Sequence, residues 1–259
     1  EILPRGIKTK VRGIQSHSQA AQRAVAGQRT AVNLQGIEKD QLSRGDTIVS
    51  AGFFTPTKTL DATLNLLKQA PRGLKTGARI RFYNTTQEAI GRITILGTNQ
   101  VAPGEDAFVQ LRLDRSVIIQ HGDRFILRFY SPMETLGGGM VLNPHTRRHK
   151  NATMKESLES LRILEQGKTE DRLARLISGK GLTGMEETEA IGTIAADKQE
   201  ITSALASLAQ KKAVLRVDNL YVHTSHLAAL ENKTLDLIKQ FHKDNPLKAG
   251  LDKEELKGM

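Results

Sequence analysis

The 259-residue chain contains no cysteine and no tryptophan, and aromatic residues make up only 4% of it. Without cysteine there can be no disulfide framework, no catalytic thiol and no thiolate-ligated zinc. No stretch approaches the roughly 18 consecutive apolar residues of a membrane span, and the start does not read as a signal peptide, so a soluble cytoplasmic protein with no membrane partner is the expectation. Acidic residues are missing locally. None occurs in residues 2–37, where Arg5, Lys8, Lys10, Arg12, Arg23 and Arg29 lie, and none in residues 135–155, which hold Arg147, Arg148, Lys150 and Lys155.

What is present is a net charge of +10, distributed on one side. Residues 1–150 carry 22 basic and 11 acidic side chains, giving +11, whereas residues 151–259 carry 16 and 17, giving −1. A single surface charge is ordinarily just solvated. Two long stretches of one sign point instead to a polyanion, most simply a nucleic acid.

The length suggests two or three domains. Short runs at 47–49, 60–67, 80–83, 90–96, 107–113 and 125–130 alternate apolar with polar residues at period two, and so does the segment from Lys8 to Arg12. Turn signals such as Arg44-Gly45-Asp46, Ala102-Pro103-Gly104 and His121-Gly122-Asp123 separate them. Strands this short and numerous suggest closed antiparallel barrels. After Pro144 the period becomes 3.6. Met154, Leu158, Leu161, Ile163 and Leu164 would form one face of a linking helix ending at Gly167. Leu173, Leu176 and Ile177 mark a second helix, Met185 to Ile191 a third opened by Thr183, and Ile201, Leu205 and Leu208 a fourth. Val214 to Val217, the turn Asp218-Asn219 and Leu220 to Val222 read as a hairpin, so this group describes a winged helix.

The expected fold class is therefore mixed, all-β followed by α-rich. It consists of a partial barrel over 1–52, a complete barrel over 53–144, a basic connector and linking helix over 145–168, a winged helix over 169–223 and the start of another over 224–259. That last start would place Leu235, Ile238 and Phe241 on its first apolar stripe. The chain opens on Glu1 within strand-like sequence, and its last ten residues resemble a helix cut short, so a fragment of a longer protein is expected.

No enzyme signature survives inspection. Gly167-Lys168-Thr169 resembles the end of a phosphate loop, but the required glycine five residues earlier is Arg162 and the preceding segment is helical. His145 and His149 have metal-ligand spacing yet follow Pro144 and lack a third ligand, so a basic connector is the simpler reading and no metal is expected. Gly137-Gly138-Gly139 lacks the third glycine of a dinucleotide fingerprint, since that position is Leu142; the triplet would let a strand bend or another backbone approach closely. No catalytic residue is assigned.

Two runs carry a family resemblance. Ala26-Gly27-Gln28-Arg29-Thr30-Ala31-Val32-Asn33-Leu34, with Leu42-Ser43-Arg44-Gly45-Asp46, resembles the second domain of translational GTPases related to elongation factor Tu. Gly122-Asp123-Arg124-Phe125-Ile126-Leu127-Arg128-Phe129-Tyr130-Ser131-Pro132, with the glycine triplet, resembles the closing strands of their third domain. The Tyr-Ser-Pro form, followed by Asn143-Pro144, a His/Arg connector and winged helices, is similar to the selenocysteine-specific elongation factor (SelB) family. The resemblance implies a factor that delivers selenocysteyl-tRNA, in a GTP complex, to a ribosome paused at a recoded UGA codon. It implies that a GTPase domain with GTP and Mg, and the first strands of the second domain, precede Glu1. It also implies that the winged helices gripping the mRNA hairpin follow Met259. This fragment would then be a monomer with no cofactor and no GTPase activity of its own, holding part of the tRNA surface.

On that resemblance Arg29, beside Gln28, matches a position in a Gly-Gln-Arg strand that resembles the wall of the aminoacyl pocket, where a guanidinium would favour an ionised selenol over the hydroxyl of serine. Alternation puts Arg79 and Arg81 on one face of a strand and Arg124 and Arg128 on one face of another, making them candidates for the T stem. The first winged helix would be a spacer, with duplex binding by residues 198–212 as its competitor. Two alternatives stay open: another elongation factor carrying ordinary aminoacyl-tRNA, and a DNA-binding regulator built on the winged helices.

Overall fold

The computed structural model describes residues 1–248, 250 and 252–258; Ala249, Leu251 and Met259 lie outside the described residues, the last two of them within the expected last helix. The strands of the first 150 residues are β1 (Ile2–Leu3), β2 (Val11–Ser16), β3 (Gln19–Ala21), β4 (Thr30–Leu34), β5 (Thr47–Ile48), β6 (Thr57–Leu66), β7 (Leu74–Lys75), β8 (Arg79–Asn84), β9 (Gln87–Ile95), β10 (Gln100–Val101), β11 (Asp106–Val117), β12 (Arg124–Phe129) and β13 (Thr135–Asn143). They are followed by α1 (Met154–Gln166), α2 (Thr169–Lys180), β14 (Met185–Glu186), α3 (Glu187–Thr193), α4 (Lys198–Gln210), β15 (Val214–Val217), β16 (Leu220–His223), α5 (Thr224–Asp244) and α6 (Lys253–Gly258). The chain divides into two units, Glu1–Glu165 with Gly192–Ala195, and Gln166–Ile191 with Ala196–Met259.

Six strands of the first unit close into a barrel in the order β11-β6-β13-β12-β8-β9. The period-two pattern explains the closure. Leu60, Leu64, Leu66, Ile80, Phe82, Ile93, Leu111 and Leu127 are each at most 1% exposed and fill the interior, while their strand neighbours face out. Each such side chain contributes about 1.5–3 kcal/mol by leaving water, so the apolar stripe dictates the register of every strand. Phe82 and Phe125 stack at 5.3 Å between centroids. The glycine triplet lies in β13, between β6 and β12, and approaches other backbone closely: a Cβ on Gly139 would overlap the carbonyl oxygen of Thr63, and one on Gly138 that of Phe125. Ahead of the barrel, β1 pairs with β5, and β3-β2-β4 form a separate three-stranded sheet. The Lys8 to Arg12 alternation becomes a strand only from Val11, where pairing with Leu34 begins.

In the second unit, α2 buries Leu173, Leu176 and Ile177, and α4 buries Ile201, Leu205 and Leu208, as helical spacing requires. The sheet order is β14-β16-β15, and Asp218 at φ 53° makes the β15–β16 turn. One expectation is corrected here. Met185 does not begin a helix: after Gly184 at φ 67° it pairs with Tyr221 as strand, and the helix starts at Glu187. Likewise Ile163 is 43% exposed, because it lies off the stripe that Leu161 and Leu164 bury. Along α5 no residue is buried, and Leu235 is 46% exposed. No described helix is long and apolar enough to cross a membrane.

Candidate nucleic-acid interface

Four adjacent barrel strands, β12, β8, β9 and β11, turn a shared outer face toward solvent. Residues directly opposite across a ladder point the same way. Arg128 of β12 stands opposite Arg81 of β8, and Ile126 opposite Tyr83. Arg79 of β8 stands opposite Arg92 of β9, which stands opposite Arg112 of β11. The result is a row of three arginines on neighbouring strands, spaced about 5 Å apart in the hydrogen-bonding direction.

Opposed like charges destabilise a sheet, by up to about 1 kcal/mol per pair. Two features hold these side chains in place. Aromatic rings carry some of them: the Arg79 guanidinium lies 4.1 Å from the Tyr130 ring centroid, Arg81 5.2 Å from the same ring, Arg128 5.4 Å from Tyr83 and Arg72 4.5 Å from Phe129. Each stack is worth about 0.5–1 kcal/mol at an exposed site and leaves the N–H edge free to meet an anion. The second feature is Glu88, which binds Arg81 Nη1 at 2.9 Å and accepts the Tyr83 hydroxyl at 2.9 Å. The Tyr83 and Arg81 hydrogen bonds hold the Glu88 carboxyl below its usual range, while burial and then Glu88 itself push the Tyr83 phenol up. Of the arginines in this face, only Arg81 has an acidic partner among the described residues. Beside the stack opens a cleft of about 760 Å³, with Phe129 and Tyr130 among its apolar walls and Arg72, Lys75 and Arg79 among its cations.

The expected T-stem residues are thus partly brought together. Arg79, Arg81 and Arg128 share the aromatic cluster. Arg124 is on the same face of β12 but four residues from Arg128, about 13 Å along the strand, opposite Met140. Arg29 and Gln28 lie in the loop that leads into β4 of the separate sheet, where a strand is expected from the resemblance. Gly27 at φ 88° and the bonds between Gln28 and Val25 close a turn there, so β4 begins only at Thr30. Arg92, Arg112, Arg72 and the rings under the arginines were not singled out from sequence, since only the long-range register lines them up.

The remaining candidates resolve into structure. His149 Nε2 lies 2.9 Å from Asp61 Oδ1 and its other ring nitrogen 3.0 Å from Ser157 Oγ; among the described residues no cluster of three potential metal ligands occurs. Gly167 and Lys168 lie between α1 and α2, a helix–helix junction in which no strand feeds a phosphate loop. In the second unit two lysines are tied to glutamates on other elements. Lys211 pairs with Glu170 at 2.6 Å, Lys180 pairs with Glu189, and the Glu200 carboxylate is taken by Thr169.

Known proteins share this architecture. Residues 60–148 match the family model "Selenocysteine-specific elongation factor, beta-barrel domain", and residues 235–259 match "Elongation factor SelB, winged helix". A selenocysteine-specific elongation factor of Desulfomicrobium baculatum is 30% identical over 259 residues, covering 99% of this chain and 40% of that protein. The crystal structure of a bacterial selenocysteine-specific elongation factor, EF-Sec, shares the fold with a TM-score of 0.73 at 23% identity, covering 100% of this chain and 39% of that one. The chain thus spans about two fifths of the length of these relatives. With a barrel and a winged-helix segment each matched by its own model, this chain carries the β-barrel and winged-helix domains of the selenocysteine-specific elongation factor (SelB) family.

Proposed function

We propose that this chain supplies the aminoacyl-tRNA-binding surface of a cytoplasmic selenocysteine elongation factor, and that the whole factor, using GTP and Mg, delivers selenocysteyl-tRNA to the ribosome at recoded UGA codons. The observation that carries the reading is the outer barrel face, where Arg79, Arg92, Arg112 and Arg128 stand without acidic partners among the described residues on strands of a SelB-type barrel. Such fixed cations position an RNA through its phosphates and read shape in preference to sequence, as duplex RNA requires. The winged-helix unit, whose acidic groups offset its basic ones and in which Lys180 and Lys211 are ion-paired, acts as a spacer toward the mRNA-reading end of the factor.

The test is backbone footprinting of selenocysteyl-tRNA. Bound factor should protect the acceptor arm and T stem, and the variant Arg79→Gln/Arg81→Gln/Arg128→Gln should lose the T-stem protection. Unchanged protection would refute the placement. Arg29, exposed in its loop and without an ion pair among the described residues, remains the proposed discriminator of the selenol. In the full-length factor Arg29→Ala should weaken selenocysteyl-tRNA more than seryl-tRNA; equal loss for both would show that it does not discriminate.

A further inference from the structure

The arginine row reaches a second feature at Arg112. There a polar cavity of about 480 Å³ is walled by Arg112 and Thr94 from the barrel and by Arg148, His149 and Asn151 from the connector, with no acidic residue in its lining. The connector is fastened by a buried carboxylate. Asp61, 2% exposed, accepts from His149 Nε2 at 2.9 Å and from Gln110 Nε2 at 3.0 Å, and the same Gln110 amide donates to Arg147 O at 3.0 Å. Both immediate neighbours of Arg148 are therefore anchored while Arg148 itself is exposed. Neither the Arg148 nor the Arg112 side chain has an ion-pair or hydrogen-bond partner among the described residues. Two guanidinium groups at one concavity, whose lining also offers the Thr94 hydroxyl and the Asn99 and Asn151 amides, supply the donors that a tetrahedral oxyanion takes.

We propose that this cavity is a second phosphate site, extending the Arg79–Arg92–Arg112 row onto the connector and taking a backbone phosphate of the bound RNA. It rests on the RNA-binding reading above. The connector is then part of the binding surface as well as a link, and Asp61 positions Arg148 by holding His149.

The test compares log affinity for a transfer RNA against log salt in the whole chain, for the wild type, Arg112→Gln/Arg148→Gln and Arg79→Gln/Arg128→Gln. Each removed phosphate contact lowers the slope by about one, so both double variants should lose about two. All four positions are on the surface, and an unchanged melting midpoint checks the fold. A wild-type slope for Arg112→Gln/Arg148→Gln with a lowered slope for the other pair would overturn the second site and leave the RNA reading standing. Wild-type slopes for both pairs would overturn the RNA reading itself. Inorganic phosphate alone distinguishes the source: if it shifts the amide resonances of residues 94–99 as fully as tRNA does and the slope of Arg112→Gln/Arg148→Gln is unchanged, the cavity is a small-anion site and the RNA assignment fails.

Discussion

On the barrel, arginines lie over rings at 4.1–5.4 Å and most keep their charge unopposed among the described residues; in the winged-helix unit, Lys180 and Lys211 reach glutamates on neighbouring elements. The barrel half has twice as many basic as acidic groups and the other half nearly equal numbers, so the two differ in the balance of charge as well as in its arrangement. Ring stacking fixes a cation without neutralising it, and the energy of an incoming phosphate is then not spent on breaking an ion pair. Pairing does the opposite and produces a surface with little to offer a polyanion. Net charge by itself would have hidden this, because +10 for the whole chain is +11 in residues 1–150 and −1 in the rest.

The sharpest way to break the comparison is through the backbone. Gly139→Ala should cost several kcal/mol, since the added methyl overlaps the Thr63 carbonyl and β13 must leave β6. The same change at Gly179, in α2 with nothing within 4 Å of the added Cβ, should stabilise by up to about 1 kcal/mol. Urea unfolding of the two variants measures both signs; equal shifts would mean that the barrel is less tightly closed than its contacts imply. Next comes the platform itself. Tyr130→Ala removes the ring under Arg79 and Arg81 and should weaken RNA binding by about 1 kcal/mol, roughly fivefold, without changing the salt slope. Titration against tRNA at three salt concentrations separates that loss of preorganisation from loss of charge.

A smaller effect distinguishes the halves by pH. His223 N-caps α5 through its ring nitrogen, which accepts from Ser225 N. Burial, then the neighbouring His226 and Arg175, hold its pKa below the ordinary 6.5. Its contribution is therefore fully present above pH 6.5 and is lost as pH falls through the folded value. Glu88, whose pKa is lowered from 4.5, keeps its barrel contribution through that same window. Hydrogen exchange at pH 5.5 against pH 7.5 should loosen the start of α5 more than β8 or β9, and His223→Asn should reduce the difference.

Five of the six barrel strands, β6, β8, β9, β11 and β12, are legible from alternation, because each buries one face against a common interior; β13, with its glycine triplet, does not alternate and is marked only by its resemblance to a closing strand. Local signals also gave the β15–β16 turn and the apolar faces of α2 and α4. What failed to show was non-local. Arg92 and Arg112 are unremarkable in sequence, and only the β8–β9–β11 register sets them beside Arg79. Asp61 and His149 are 88 positions apart, so the clasp that holds the connector had no sequence signature. The family resemblance of its run predicts a strand at Arg29, whereas the turn made by Gly27 and Gln28 delays β4 to Thr30.

The central claim is that RNA binding resides on the barrel arginines and not on the winged-helix lysines. Its direct test is the salt dependence of tRNA affinity for Arg79→Gln/Arg81→Gln/Arg128→Gln beside Lys198→Gln/Lys211→Gln/Lys212→Gln. The arginine variant should lose about three from the slope of log affinity against log salt, and the lysine variant should match the wild type. A slope lowered in the lysine variant and retained in the arginine variant would contradict the account.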